Sequence, residues 1–408
     1  MKAKMSNTMS VFREYEKRFL NAQKELNESL TKEEIVETIK SVLGINEEMI
    51  PNIHNLCVVS ERNVCGIIVQ ELLFESWDGF YGTATLYLPK TSGEKLPFVF
   101  LCIGHGEDGR KTESYVQMAY RLARLGMAVL IPDCIGRGAR KPQGHSQTTI
   151  APFYFGYTLQ GLILCEALAL IRYMQKDSRF DANRFGACGN SGGGTLTTLL
   201  CALAPELSVI ATSGYPSEFS FILQKERSHC ACNLLPGIIP RLEMWQLLGC
   251  FAPKPLLIEQ GINDNLIPHD LCKRCHRKVR NVYVSADAEE SLKLEISNTE
   301  HSWQKDDIAI ISRFLAEELL NIIPDDEFEF IFENQSDSIK LPFKSLDVIQ
   351  LCEKLSGKKY PENIKLEDIF PPKFRGEQLN AETIISNLGY GDIMRVLAQW
   401  ECVLGGDN

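Results

Sequence analysis

From Pro97 onward the chain repeats one pattern, a short unbroken apolar run followed by a longer segment of helical character. The apolar runs are Pro97–Ile103, Met127–Pro132, Phe185–Cys188 and Val209–Thr212, with Lys254–Gln260 and Leu292–Ile296 following as further expected strands. The helical segments are Glu113–Leu125, Phe155–Gln175, Gly192–Leu203 and Asp306–Leu320. A strand that is apolar on both faces has no side for water, so it belongs in a parallel sheet covered by helices above and below. Right-handed crossovers turn that alternation into a doubly wound sandwich. The expected fold class is therefore α/β, with a doubly wound, mostly parallel sheet.

The flanks read differently. Apolar residues Val11, Phe12, Tyr15, Phe19 and Leu20 recur at helical steps, and Thr31 with Glu34 three residues later forms a capping-box signature. Val64–Ser76 and Tyr81–Pro89 are strand-like and joined by the turn Trp77-Asp-Gly-Phe, with His54 placed before the sheet. Beyond Ile323 the chain becomes acidic, with Pro361, Pro371 and Pro372 punctuating short helical stretches. The expected organisation is an N-terminal helical extension (1–56), a core (57–324) and a small C-terminal appendix (325–408). Within the core, residues 217–248 carry Pro236, Gly237 and Pro240 and read as a lid-like insertion.

Charge and cysteine usage narrow the class of partner. With 43 Lys+Arg against 53 Asp+Glu the net charge is −10, and there is no basic run to track a phosphate backbone, so no nucleic-acid partner is expected. The most apolar long stretch, Gly156–Met174, is interrupted by Gln160, Glu166 and Arg172, which suits a buried helix and not a membrane span. Fourteen cysteines are scattered, several inside apolar runs (Cys102, Cys165, Cys188, Cys201), and the first residues are polar. Reduced thiols and a cytoplasmic location are expected.

Gly189-Asn-Ser-Gly-Gly matches G-x-S-x-G between an expected strand and an expected helix. A nucleophilic serine must be lifted clear of the sheet on a turn too tight for neighbouring side chains, and Gly189 and Gly193 meet that need around Ser191. Serine also needs a base, and the base an orienting carboxylate, in the chain order acid then histidine. Asp264 follows the apolar run Leu256–Gln260, and His301 follows Leu292–Ile296. Both sit at strand C-terminal ends, where open α/β sheets place their sites. Asp270 or Glu259 are the alternatives to Asp264.

An oxyanion needs backbone donors. The N–H of Gly192 opens a helix, and the loop Gly104-His-Gly-Glu-Asp-Gly-Arg offers Gly106 or Glu107. His105 is read as structuring that loop, and Asp133 as bonding the backbone of its own turn. His145, His229 and Trp245 are candidate substrate contacts from loops and the insertion. Cys272-Lys-Arg-Cys-His and His229-Cys-Ala-Cys have ligand-like spacing and together would suit zinc. The first string falls on an expected helix of a reduced chain, so no metal is expected. The chemistry requires no cofactor.

Those motifs resemble the α/β-hydrolases, and within them the acetyl xylan esterase-like and dienelactone hydrolase-like branch. The resemblance is carried by the Gly104-His-Gly loop, Asp133-Cys-Ile-Gly-Arg-Gly, Gly189-Asn-Ser-Gly-Gly-Gly, His229-Cys-Ala-Cys-Asn, Pro253–Asp264 and Glu300-His-Ser-Trp, over residues 10–320. It implies the α/β-hydrolase fold and an esterase with Ser191 as nucleophile, His301 as base and Asp264 as orienting acid, acting on a small-molecule ester. An acyltransferase or a peptidase would use the same three residues, and a non-catalytic binding protein would retain only the fold. In the appendix, Lys344-Ser-Leu-Asp-Val faintly resembles a carrier-protein attachment serine, so a carrier partner or a second copy of the chain are the partners considered there.

Overall fold

The computed structural model describes residues 13, 15, 17–90, 93–145, 150–223, 230–332, 339–365, 369 and 390–404. Among them a nine-stranded sheet runs in the order β1-β2-β3-β5-β4-β6-β7-β8-β9. The strands are β1 (His54–Val64), β2 (Ile67–Glu75), β3 (Tyr81–Leu88), β4 (Leu96–Cys102), β5 (Ala128–Pro132), β6 (Phe180–Asn190), β7 (Val209–Ser213), β8 (Leu256–Gly261) and β9 (Leu292–Ser297). The first three pair antiparallel, β3 is antiparallel to β5, and every remaining pair is parallel. Helices α1 (Lys32–Leu43), α2 (Glu113–Arg124), α3 (Leu159–Gln175), α4 (Gly192–Leu203), α5 (Met244–Gly249), α6 (His269–Ser285), α7 (Lys305–Leu320), α8 (Val348–Ser356) and α9 (Tyr390–Leu404) surround it. This is the doubly wound, mostly parallel sheet that the apolar runs require.

Two apolar layers hold the sheet. On one face Phe98, Phe100 and Leu130 pack with α3 and α4 through Leu164, Leu168 and Leu200. On the other, Val99, Leu101 and Val129 pack with α2 and α7 through Met118, Leu122, Ile311 and Leu315. Alternate residues of β4 thus serve opposite layers, which is why that strand reads as unbroken hydrophobicity.

The N-terminal edge departs from the sequence reading. Val64–Ser76 is not one strand: the chain reverses at Cys65 and Gly66, at φ +51° and +85°, and β1 pairs back along β2. His54 is the first residue of β1. The sequence carries no period for β1, because the strand lies at the edge, mostly exposed, and its Ser60-Glu-Arg-Asn segment shows no apolar alternation. The capping box is present, with Glu34 N–H donating to Thr31 Oγ1 at 3.2 Å and Thr31 N–H to Glu34 Oε2 at 2.7 Å.

Residues past α7 are tied to the rest of the molecule. The backbone of Ile331 accepts from and donates to the Gln117 side chain at 2.8 and 2.9 Å, laying that segment along α2. On α9, Trp400 packs against Tyr15 with ring centroids 4.8 Å apart, and Cys402 O accepts from Gly237 N–H at 2.6 Å. Ser345 lies in a turn, its hydroxyl accepting from Gln143 Nε2 at 3.2 Å.

A buried ion network sets the loop after β4. Arg110 is fully buried and reaches Glu71 on β2 at 2.8 Å, while its guanidinium also bonds Asp133 at the end of β5. Asp133 accepts in addition from Thr83 Oγ1 at 2.7 Å and from Arg110 N–H at 2.8 Å. A side chain at Gly138 would collide with this carboxylate, at 2.2 Å from Oδ1, and its φ of +55° also favours glycine. The loop bearing His105 and Gly106 is therefore clamped by charge to two strands.

Candidate active site

Ser191 stands between the last residue of β6 and the first of α4, at φ +59° and ψ −119°. A non-glycine residue held there costs about 1–3 kcal/mol and persists only because its surroundings impose it. They do so through Ser191 N–H, which donates to Ser213 O at 3.1 Å, and Ser191 O, which accepts from Thr195 N–H at 2.9 Å. The first N–H groups of α4 have no intrahelical acceptor, and Gly192, the first residue of that helix, lines the cleft, which makes its N–H a potential anion donor. Gly192 has no room for a side chain, since a Cβ would stand 2.8 Å from the His105 ring.

Asp264 follows β8 and is 1% exposed at its side chain. Its Oδ1 accepts from Leu266 N–H at 2.7 Å and Ile267 N–H at 2.9 Å, and its Oδ2 from Gln260 Nε2 at 2.8 Å and His301 Nδ1 at 2.8 Å. Burial alone would raise its pKa. The hydrogen bond from His301 and the two backbone amides outweigh that and hold the carboxyl below its usual range. A carboxylate only accepts, so the His301 proton sits on Nδ1 and the Nε2 lone pair is free. That Nε2 is buried with no hydrogen-bond partner.

Ser191 and His301 line one cleft of about 500 Å³, together with Gly106, Gly192, Thr195 and Tyr215. Asn190 connects the two loops, its Nδ2 donating to His301 O at 2.8 Å. Behind it, the Ser213 hydroxyl lies 3.1 Å from Asn190 Oδ1 and 2.6 Å from Glu259 Oε2. Burial and the neighbouring Asp307 push the Glu259 carboxyl above the usual range. Sequence reasoning missed Asn190 because its role depends on a backbone carbonyl 111 residues away.

The remaining expected site residues divide. Gly106 faces the cleft, whereas the Glu107 side chain is 77% exposed and points to Lys141 and Arg137 at 3.2 and 3.5 Å. Trp245 lies on α5 and lines a different cleft with Gln23, Glu28 and Arg274, its ring covered by Lys278. It is not brought to Ser191, because α5 packs on α4 and α6 with Trp245 on its outer side. His145 is buried, with Nδ1 against Ile135 O at 2.5 Å, and does not line the Ser191 cleft. His229 lies outside the described residues. The alternatives to Asp264 do not reach His301: Glu259 bonds Ser213 and Ser297, and Asp270 is exposed beside His269. Among the described residues, no helix is long and apolar enough to cross a membrane.

The chain is similar in sequence and in fold to known proteins. Residues 57–231 match the acetyl xylan esterase family. YtaP of Bacillus subtilis (strain 168), provisionally assigned as a hydrolase, is 23% identical over 198 residues, 48% of this chain and 65% of its own length. The chain thus spans just under two thirds of that relative. Methylesterase BT1017 superposes with TM-score 0.60 at 22% identity, over 75% of this chain and 68% of that one. A glucuronoyl esterase from Solibacter usitatus gives 0.54 at 13% identity, over 71% and 92%. The chain is thus an α/β-hydrolase-fold protein whose residues 57–231 match the acetyl xylan esterase family.

Proposed function

We propose that the chain is a serine hydrolase that cleaves a small carboxylic ester, in the manner of a deacetylase. One observation carries this reading. His301 is locked by Asp264 in the tautomer that leaves Nε2 free, in the same cleft as a serine held at φ +59°. The family match, and relatives named as a methylesterase and a glucuronoyl esterase, support an ester borne on a carbohydrate.

In this mechanism Nε2 of His301 removes the Ser191 proton as Oγ attacks the ester carbonyl. The oxygen that becomes negative is held by Gly192 N–H and a second amide from the loop at Gly106. His301, now an imidazolium stabilised by Asp264, protonates the departing alcohol. Water, deprotonated by the same Nε2, attacks the acyl-enzyme, and the proton returns to Ser191 as the acid leaves. The backbone N–H of Glu107, next along the same loop, is the alternative second donor.

Hydrolysis of short aryl acetates by the wild type and Ser191→Ala tests the proposal. Turnover by the wild type, its loss in the variant and fluorophosphonate labelling at Ser191 are expected. Equal rates, or no labelling of the folded wild type, would reject it.

A further inference from the structure

Four side chains from three separate loops converge beside the nucleophile turn: His105 after β4, His145 after β5, and Cys230 and Cys232 between β7 and β8. Their ligand atoms all lie within 4.8 Å of one another. His105 Nε2 is 2.9 Å from Cys232 Sγ, and the two imidazoles meet edge-on with centroids 5.5 Å apart. Three of the four residues line a space of about 30 Å³. We propose that His105, His145, Cys230 and Cys232 form a tetrahedral zinc site that pins the segment after β7 to the loop bearing Gly106.

The donor set fits zinc. Two sulfurs and two imidazoles suit a tetrahedral ion of intermediate softness. Bond lengths of about 2.0–2.1 Å to nitrogen and about 2.3 Å to sulfur place such donors about 3.3–3.8 Å apart, so shifts of roughly 1 Å complete the shell.

The orientation of His145 is a second, independent observation. A carbonyl oxygen only accepts, so the proton of His145 sits on Nδ1, bonded to Ile135 O at 2.5 Å. This arrangement orients a metal-binding histidine and presents its other nitrogen as a ligand. That nitrogen, Nε2, is buried without a partner in a residue only 7% exposed. An unmade bond at such a depth is costly unless a ligand completes it.

Charge balances as well. Binding releases two thiol protons, and one Zn²⁺ with two thiolates and two neutral imidazoles is uncharged, which is compatible with burial. Four protein donors leave no place for water on the metal, so the site is structural. The Cys272 and Cys275 pair has no part in it, because both thiols are buried on α6. His105 abuts Gly192 and immediately precedes Gly106, so a metal there would hold both sides of the oxyanion site in register.

Metal content of the full, untagged chain tests the proposal. We expect about one zinc per chain by elemental mass spectrometry after incubation with excess zinc and gel filtration. Cys230→Ser/Cys232→Ser should lose it, and Cys272→Ser/Cys275→Ser should retain it. Zinc should also slow iodoacetamide alkylation of Cys230 and Cys232 in the wild type, mapped by peptide, by about tenfold or more, a readout that needs no variant to fold. A folded wild type that retains no zinc, thiols alkylated equally with and without zinc, or a Cys230–Cys232 disulfide would overturn it. None of these readouts depends on ester hydrolysis, so the metal site and the esterase reading stand or fall separately.

Discussion

The side-chain amide of Asn190 donates to the backbone carbonyl of His301 at 2.8 Å, so the residue preceding Ser191 holds the loop that carries His301. Leaving that carbonyl unpaired costs about 1–3 kcal/mol. If the cost falls on the productive arrangement, Asn190→Ala should lower kcat by about 5- to 150-fold with KM nearly unchanged. Steady-state kinetics on an aryl acetate, with circular dichroism to verify folding, checks this.

Ser191 stores backbone strain that glycine would not. Ser191→Gly should therefore raise stability by about 1 kcal/mol while removing activity by a factor on the order of 10⁴ or more. Chemical denaturation and turnover on the same preparation measure both. A less stable glycine variant would show that the turn is not strained.

The depressed Asp264 pKa makes a pH prediction. A carboxyl whose folded pKa lies below its unfolded value of about 3.9 stabilises the fold above that pH, and this contribution is lost as the pH falls through the folded value. Asp264→Asn should be less stable than wild type at neutral pH, with the gap closing below about pH 4. It should also lose activity by about 10⁴-fold, because the imidazole is no longer held in the required tautomer. Melting temperatures of both proteins across an acid series give the answer.

Glu259 titrates in the opposite sense, because burial and Asp307 raise its pKa. The folded state then holds a proton that the unfolded state releases above about pH 4.3, so stability declines as pH rises from there toward the raised folded value. Glu259→Gln removes that slope. Its melting temperature should gain on wild type between pH 5 and pH 8, the range of the comparison.

The Arg110–Asp133 pair is a stability determinant of the loop beside Ser191. Asp133→Ala leaves a buried guanidinium short of a partner and should cost about 3–5 kcal/mol. Denaturant titration measures that loss. Retained stability would mean that Glu71 alone satisfies Arg110.

Primary structure settled the central sheet and the order of the three candidate catalytic residues. Unbroken apolar runs admit only strands covered on both faces, and a serine flanked by glycines between a strand and a helix has few other conformations available. The edge strand β1 escaped because an exposed edge imposes no apolar period. Only three-dimensional packing chose Asp264 over Glu259 and Asp270, turned Trp245 onto another cleft and gathered His105, His145, Cys230 and Cys232. Local patterns report which face of an element is buried, whereas these choices depend on where loop ends distant along the chain finally meet.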